Sequence, residues 1–131
     1  KIRLERAADG TLHGRHERAE ATGLDPFHAD RFAVDLVERL DPDERWTHYY
    51  PEERELSALD HLFVSPALAK ANPRVRPTVI RAGLPYRVPL DRWMPPRPRL
   101  ERYPRVGFDR PKASDHCPLA VTLALSREAA R

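Results

Sequence analysis

Apolar residues along this chain fall into short groups whose spacing changes from one group to the next. Phe32, Ala33, Leu36, Val37 and Leu40 recur at helical spacing, with Asp35, Glu38 and Arg39 on the opposite side, which predicts an amphipathic helix. Asp30 is placed to cap its first turn, and Asp25-Pro26 to start the turn before it. Asp41-Pro42 ends it, since a residue preceding proline avoids the helical region. Trp46-Thr47-His48-Tyr49-Tyr50 is aromatic and β-branched and predicts a strand, followed by a charged turn from Pro51 to Ser57. Leu62-Phe63-Val64, inside Ala58–Ser65, is dense enough for a buried strand. Pro66 to Ala69 reads as a brief helical turn and Thr78 to Ala82 as another strand. Near the end, Leu119, Val121, Leu123 and Leu125 alternate with smaller residues, which predicts a strand with those four side chains on the core side.

Two stretches lack such a pattern. Lys1 to Gly23 is polar and weakly periodic, so residues 1–24 read as a poorly ordered lead-in. Ten of the 14 prolines lie between Pro66 and Pro111, which removes backbone donors and forbids a long helix or a central strand there. Residues 85–112 are therefore predicted to be a long Pro/Arg-rich loop, pinned by Trp93, Met94, Tyr103 and Phe108. The folded part spans 25–125, and 126–131 is a polar tail.

Composition narrows the class. A chain of 131 residues, 40% hydrophobic, fits one α/β domain with a modest core. A mean hydropathy of −0.68 and the lack of an apolar run of about 18 residues exclude a membrane-spanning helix. The start at Lys1, without Met or an apolar leader, reads like an internal cut in a longer protein. Cys117 is the only cysteine, which excludes an intrachain disulfide and suits a reducing, cytoplasmic compartment. The Arg-rich composition fits a bacterial source. The formal charge of +3 hides an asymmetry, because Pro66 to Lys112 holds 12 Lys/Arg against 3 Asp/Glu, a local balance of +9. Such a block favours a phosphate-bearing partner, with a plain solvated Arg-rich surface as the alternative.

Candidate chemistry lies in two acid-histidine pairs, each leading directly into an apolar strand: Asp60-His61 before Leu62-Phe63-Val64, and Asp115-His116 before the final strand. A polar residue at the mouth of a buried strand is held by the sheet while its head stays accessible, and two such strands side by side would bring both pairs to one rim. Phosphodiester hydrolysis needs a base to activate water, a carboxylate to orient that base and positive charge for the phosphate. A histidine backed by an aspartate supplies the first two, and a second carboxylate can hold Mg²⁺. As bare dipeptides the pairs are weak signals, since carboxylates at strand ends often only cap turns and a lone histidine is usually structural. His13 and His16 are three apart, but no second pair supports a zinc site.

The stretch Ser114-Asp115-His116-Cys117-Pro118-Leu119, continuing to Leu125, resembles the closing motif of the endonuclease/exonuclease/phosphatase family, and in particular the ending of exonuclease-III-type abasic-site endonucleases. Leu59 to Ser65 is similar to that family's upstream Asp-His/Tyr strand ending in Ser. Trp46-Thr47-His48-Tyr49 is similar to the aromatic-Thr strand before it, so the resemblance covers about Asp30 to Leu125. It implies the C-terminal half of a four-layer αββα sandwich with mainly antiparallel sheet. It also implies a phosphodiester hydrolase that uses Mg²⁺ or Mn²⁺, with nucleic acid as the favoured substrate. By resemblance, His116 faces the scissile phosphate as base or charge stabiliser and Asp60 orients it. Asp115 lies near the metal and the attacking water, and Ser114 shapes the turn. His61 and Cys117 are expected to be packing residues. The family's N-terminal Glu and Asn and its Gly-Asp-Phe/Leu-Asn motif have no match in this sequence. Asp25-Pro26-Phe27-His28-Ala29-Asp30 lacks the Gly and the Asn. An incomplete active site is therefore expected, completed by an absent N-terminal half or a second copy. The alternative is a non-catalytic module that binds nucleic acid or phosphate through the basic 66–112 segment.

Overall fold

The computed structural model describes residues 1–17, 23–29, 32–84, 103–106 and 114–125. These form a small mixed α/β chain of mostly antiparallel sheet and few helices. Most of the Pro/Arg-rich loop and the tail from Ser126 lie outside the described residues, as do Asp30, Trp93, Met94 and Phe108.

The lead-in is not a loop. Ile2–Arg6 (β1) and Leu12–His16 (β2) form an antiparallel hairpin with Leu4 opposite Gly14. Ile2, Leu4 and Leu12 are buried while the charged side chains between them face out. Asp9-Gly10 makes the turn: Gly10 takes φ 86°, a conformation that costs a Cβ-bearing residue, and Asp9 Oδ1 accepts from the Thr11 amide at 2.9 Å.

The hairpin extends into a four-stranded sheet of order β2-β1-β5-β4, where β4 is His48–Tyr50 and β5 is Glu55–Ser57. The charged turn is thus confined to Pro51–Arg54, and the residues after it are a buried strand. Ile2 and Tyr49 both register against Leu56, which aligns one apolar row across the sheet. Ile2, Leu4, Trp46, Leu56, Leu84 and Cys117 form the core, flanked by Tyr49 and Val79. Arg81 lies 4.0 Å over the Trp46 ring and donates to the carbonyls of Glu44 and Trp46, so this guanidinium is committed to packing.

The helix expected over 30–40 does not form in the described part of that stretch. Asp25–Ala29 is a short helix (α1), Val34–Asp35 a strand (β3), and Leu36–Arg39 a 3-10 turn. Asp35 redirects the chain. Expected to face outward, its side chain is buried at 3% exposure and accepts from the amides of Val37 (2.9 Å) and Leu62 (3.2 Å). A carboxylate that binds nearby amides offers the backbone an alternative to the helix. Arg39, also expected outward, donates to the carbonyls of Ala69, Asn72 and Val75, closing the end of a second helix, Pro66–Ala71 (α2). Ser65 caps the start of α2, accepting from the Leu68 amide.

Phe63–Val64 (β6) pairs with β3, Thr78–Val79 (β7) pairs with Leu119–Ala120 (β8), and neither β6 nor β8 lies beside the other. β6 is half-buried rather than buried. The strand expected over Leu119–Leu125 is confined to Leu119–Ala120; burial still alternates through Leu119, Val121 and Leu123, but Leu125 is 77% exposed. Asn72 fixes that segment, with its side-chain amide donating to Ala124 O and its Oδ1 accepting from Ala124 N.

Candidate functional site

One member of each acid-histidine pair, Asp60 and His116, meets the other by a route the sequence did not indicate, while His61 turns to Asp35. The residues around His116 add to the free edge of β4: His48 and His116 form an antiparallel bridge, and the Cys117 amide donates to Thr47 O at 2.7 Å. Thr47 is fully buried, and its hydroxyl accepts from the amides of Leu59 and Asp60, each at 3.2 Å. Thr47, the residue just before β4, thus anchors both approaches, Asp60 through its side chain and the His116 segment through its carbonyl.

The result is a hydrogen bond of 2.8 Å between His116 Nδ1 and Asp60 Oδ2, joining side chains 56 positions apart. Facing a carboxylate, Nδ1 must carry the proton and donate, which leaves the Nε2 lone pair for chemistry. Partial burial pushes the Asp60 carboxyl up, but hydrogen bonds from Thr47 and His116 and the charges of His116 and His61 outweigh it, so the group lies below its ordinary value of 3.8. Asp60 is therefore an anion at neutral pH. Side-chain exposures of 41% for His116 and 37% for Asp60 leave the pair open to solvent. Ser114 shapes the turn before it, its Oγ accepting from the His116 amide at 3.0 Å.

Asp115 points a carboxylate oxygen to within 3.7 Å of His48 Nε2. Donor atoms of His48, Asp115 and His116 all lie within 4.8 Å of one another. His48 had no role in the sequence reading, and no local spacing relates it to Asp115. Only the β-bridge brings them together.

His61 is not a simple packing residue. Its Nδ1 donates to Asp35 Oδ2 at 2.6 Å, and its ring stacks on Phe63, which stacks in turn on Phe27. This is a second aspartate-histidine pair, with its carboxylate buried. Cys117 is buried as expected, and burial pushes its thiol up to about 11. His13 bonds Thr11 and His16 bonds Asp43, so the two do not converge on one site. A cavity of about 260 Å³ opens between Lys1, His16, Arg45 and Trp46, and none of Asp60, Asp115 or His116 lines it.

Mg²⁺, which the resemblance implies, is a poor match for the donors present. It takes oxygen ligands in octahedral geometry, whereas His48, Asp115 and His116 offer two imidazoles and one carboxylate. Among the described residues no helix is long and apolar enough to cross a membrane. No protein-family model, no curated protein and no solved structure matches this chain.

Proposed function

We propose that this chain carries the base half of a phosphodiester hydrolase site of the endonuclease/exonuclease/phosphatase type, within the C-terminal half of the four-layer αββα sandwich. The observation that supports it is the His116–Asp60 hydrogen bond at 2.8 Å, formed between the two motifs on which the sequence resemblance rests.

In this reading Asp60 holds His116 with Nε2 unprotonated and stabilises the imidazolium once it forms. A water molecule donates its proton to Nε2 as its oxygen adds to phosphorus. The ester P–O bond opposite breaks, and the departing oxygen is protonated from solvent. Asp115, one residue away at 62% side-chain exposure, orients the water. The metal dependence that the resemblance carries (Mg²⁺ or Mn²⁺) requires oxygen ligands that this sequence does not match, so no step is assigned to the ion. Nucleic acid is the favoured substrate because of the basic block from Pro66 to Lys112. The alternative, phosphate binding without cleavage by that block, leaves the His116–Asp60 pairing without a role.

The test is cleavage of single- and double-stranded oligonucleotides by the chain with Mg²⁺, with Mn²⁺ and with a chelator, alongside His116→Ala. Turnover falling by at least about 100-fold in His116→Ala is expected. Unchanged turnover removes His116 from the reaction. If the half-site has no turnover, a non-cleavable dinucleotide phosphorothioate is titrated instead and followed by NMR. Perturbation of the His116 ring signals supports the reading, and their constancy at saturating ligand overturns it.

A further inference from the structure

We propose that His48, Asp115 and His116 bind a transition-metal dication of the zinc class. The inference concerns metal binding alone and does not depend on the hydrolase reading.

The three ligands stand on a fixed scaffold. His48 lies in β4, and His116 is bridged to it backbone to backbone, while the neighbouring Cys117 amide is bonded to Thr47 O at 2.7 Å. The Ser114 hydroxyl tightens the turn that carries Asp115. Movement needed to close a site therefore falls on side-chain torsions, not on the backbone.

The distances are those of a site slightly open. Zinc bonds of about 2.0–2.1 Å in tetrahedral geometry place ligand atoms roughly 3.3 Å apart. His48 Nε2 and Asp115 Oδ2 are 3.7 Å apart, and the widest separation in the group is bounded by 4.8 Å. At 3.7 Å the His48–Asp115 pair is too long for a hydrogen bond, yet close to the spacing of two ligands on one ion. Rotations that move each donor by about an ångström complete the arrangement.

A second, independent observation is the outer partner of His116. Histidines that ligate metals almost always donate their other ring N–H to a carboxylate, a backbone carbonyl or water, which fixes the tautomer and strengthens the ligating nitrogen. Asp60 is that carboxylate, at 2.8 Å from Nδ1, and it is itself held by Thr47. Two imidazoles select zinc-class ions over Mg²⁺. Three protein ligands leave a fourth position for water or a phosphate oxygen.

This site shares His116 with the Asp60–His116 dyad. The ion would take His116 Nε2, the nitrogen that must be unligated to act as a base. Occupancy by zinc and base catalysis by His116 would exclude each other.

The experiment uses the full chain after chelator treatment. Zn²⁺ and Mg²⁺ are titrated by calorimetry, and Co²⁺ by its visible absorption, with circular dichroism to check that each variant is folded. One Zn²⁺ per chain is expected, with Co²⁺ bands of tetrahedral intensity. His48→Phe, which keeps an aromatic ring and removes the nitrogens, should weaken Zn²⁺ binding at least ten-fold. Asp60→Asn, which leaves all three ligands in place, should weaken it by about 10–100-fold. His13→Ala should change nothing. Equal Zn²⁺ affinity in the wild type and His48→Phe would show capture by scattered surface histidines and overturn the site. Mg²⁺ binding as tight as Zn²⁺, or no Zn²⁺ binding by a folded chain, would overturn it equally.

Discussion

Replacing Thr47 by valine removes one oxygen and almost no volume, at the point where both halves of the dyad are tied down. Three interactions go with it. The amides of Leu59 and Asp60 lose their acceptor, each bond measuring 3.2 Å, and the Asp60 carboxylate loses a hydrogen-bond partner. A buried amide left without a partner costs about 1–3 kcal/mol, and these bonds are long and only partly buried, so the low end applies to each. Two amides and one side-chain bond sum to about 3 kcal/mol, and the extra methyl returns somewhat under 1 kcal/mol through its burial. The net loss is about 2 kcal/mol, a change of roughly thirtyfold in the folded-to-unfolded ratio. Urea denaturation at pH 7 measures it, as a lower midpoint with an unchanged slope. Thr47→Ser, which keeps the oxygen and loses a methyl group, should cost only about 1 kcal/mol. A shift within about 0.5 kcal/mol for Thr47→Val would refute the reasoning, because the hydroxyl would then not be the anchor of the Leu59–Asp60 turn.

Other outcomes follow from the same structure. Leu56→Ala, at the centre of the apolar row between Ile2 and Tyr49, should lower stability by about 2–5 kcal/mol in the same urea assay. Asp35→Ala strands the Val37 and Leu62 amides and the His61 ring together and should cost about 3 kcal/mol or more. Asp35→Asn keeps one acceptor oxygen and should cost clearly less, so equal losses would count against this network. Glu55 and Asp60 both lie below their ordinary values of 4.5 and 3.8. For Glu55, burial pushes the carboxyl up, and Ser57, Lys1 and Arg3 more than offset it. A depressed carboxylate stabilises the fold above its unfolded value and loses that contribution as pH falls through the folded one. The urea midpoint should therefore be flat near neutrality and drop below about pH 4.5, whereas a midpoint constant to pH 3 would argue that neither group is coupled to folding.

Several features were legible because they are local. Trp46–Tyr50 announces by residue type the strand that forms over its last three residues, His48–Tyr50, and Ser65-Pro66 marks the start of α2 by its cap and its N-terminal proline. Alternation correctly put Leu119, Val121 and Leu123 on one side. The Asp60–His116 approach was expected from the family resemblance, whereas the side-by-side strands that the residues alone suggested do not form. The failures have physical causes. The stripe Leu36-Val37-Leu40 is compatible with more than one backbone, and the deciding partners of Asp35 are Leu62 and His61, far along the chain and invisible to periodicity. The β1–β2 hairpin was readable, since Ile2 and Leu4 alternate with charged residues ahead of Asp9-Gly10, a strong turn pair. There the charge of the segment obscured its pattern. His48 was not readable at all, because its place beside Asp115 and His116 arises from a strand bridge.

Cys117 sits between the site and the core, at 2% exposure, with its amide bonded to Thr47 O and its thiol pushed up to about 11. In the closed fold such a thiol is both protonated and out of reach, so a disulfide reagent or maleimide cannot attack it. Modification has to wait until the strand end that carries His116 lifts away from β4. Because the chain has one cysteine, a single labelling rate then counts those openings without any engineered probe. Compared with labelling in denaturant, it gives the free energy that holds His116 in place. The dyad thus comes with its own clock, and loosening of Thr47, Asp60 or the bridge to His48 should each make it run faster.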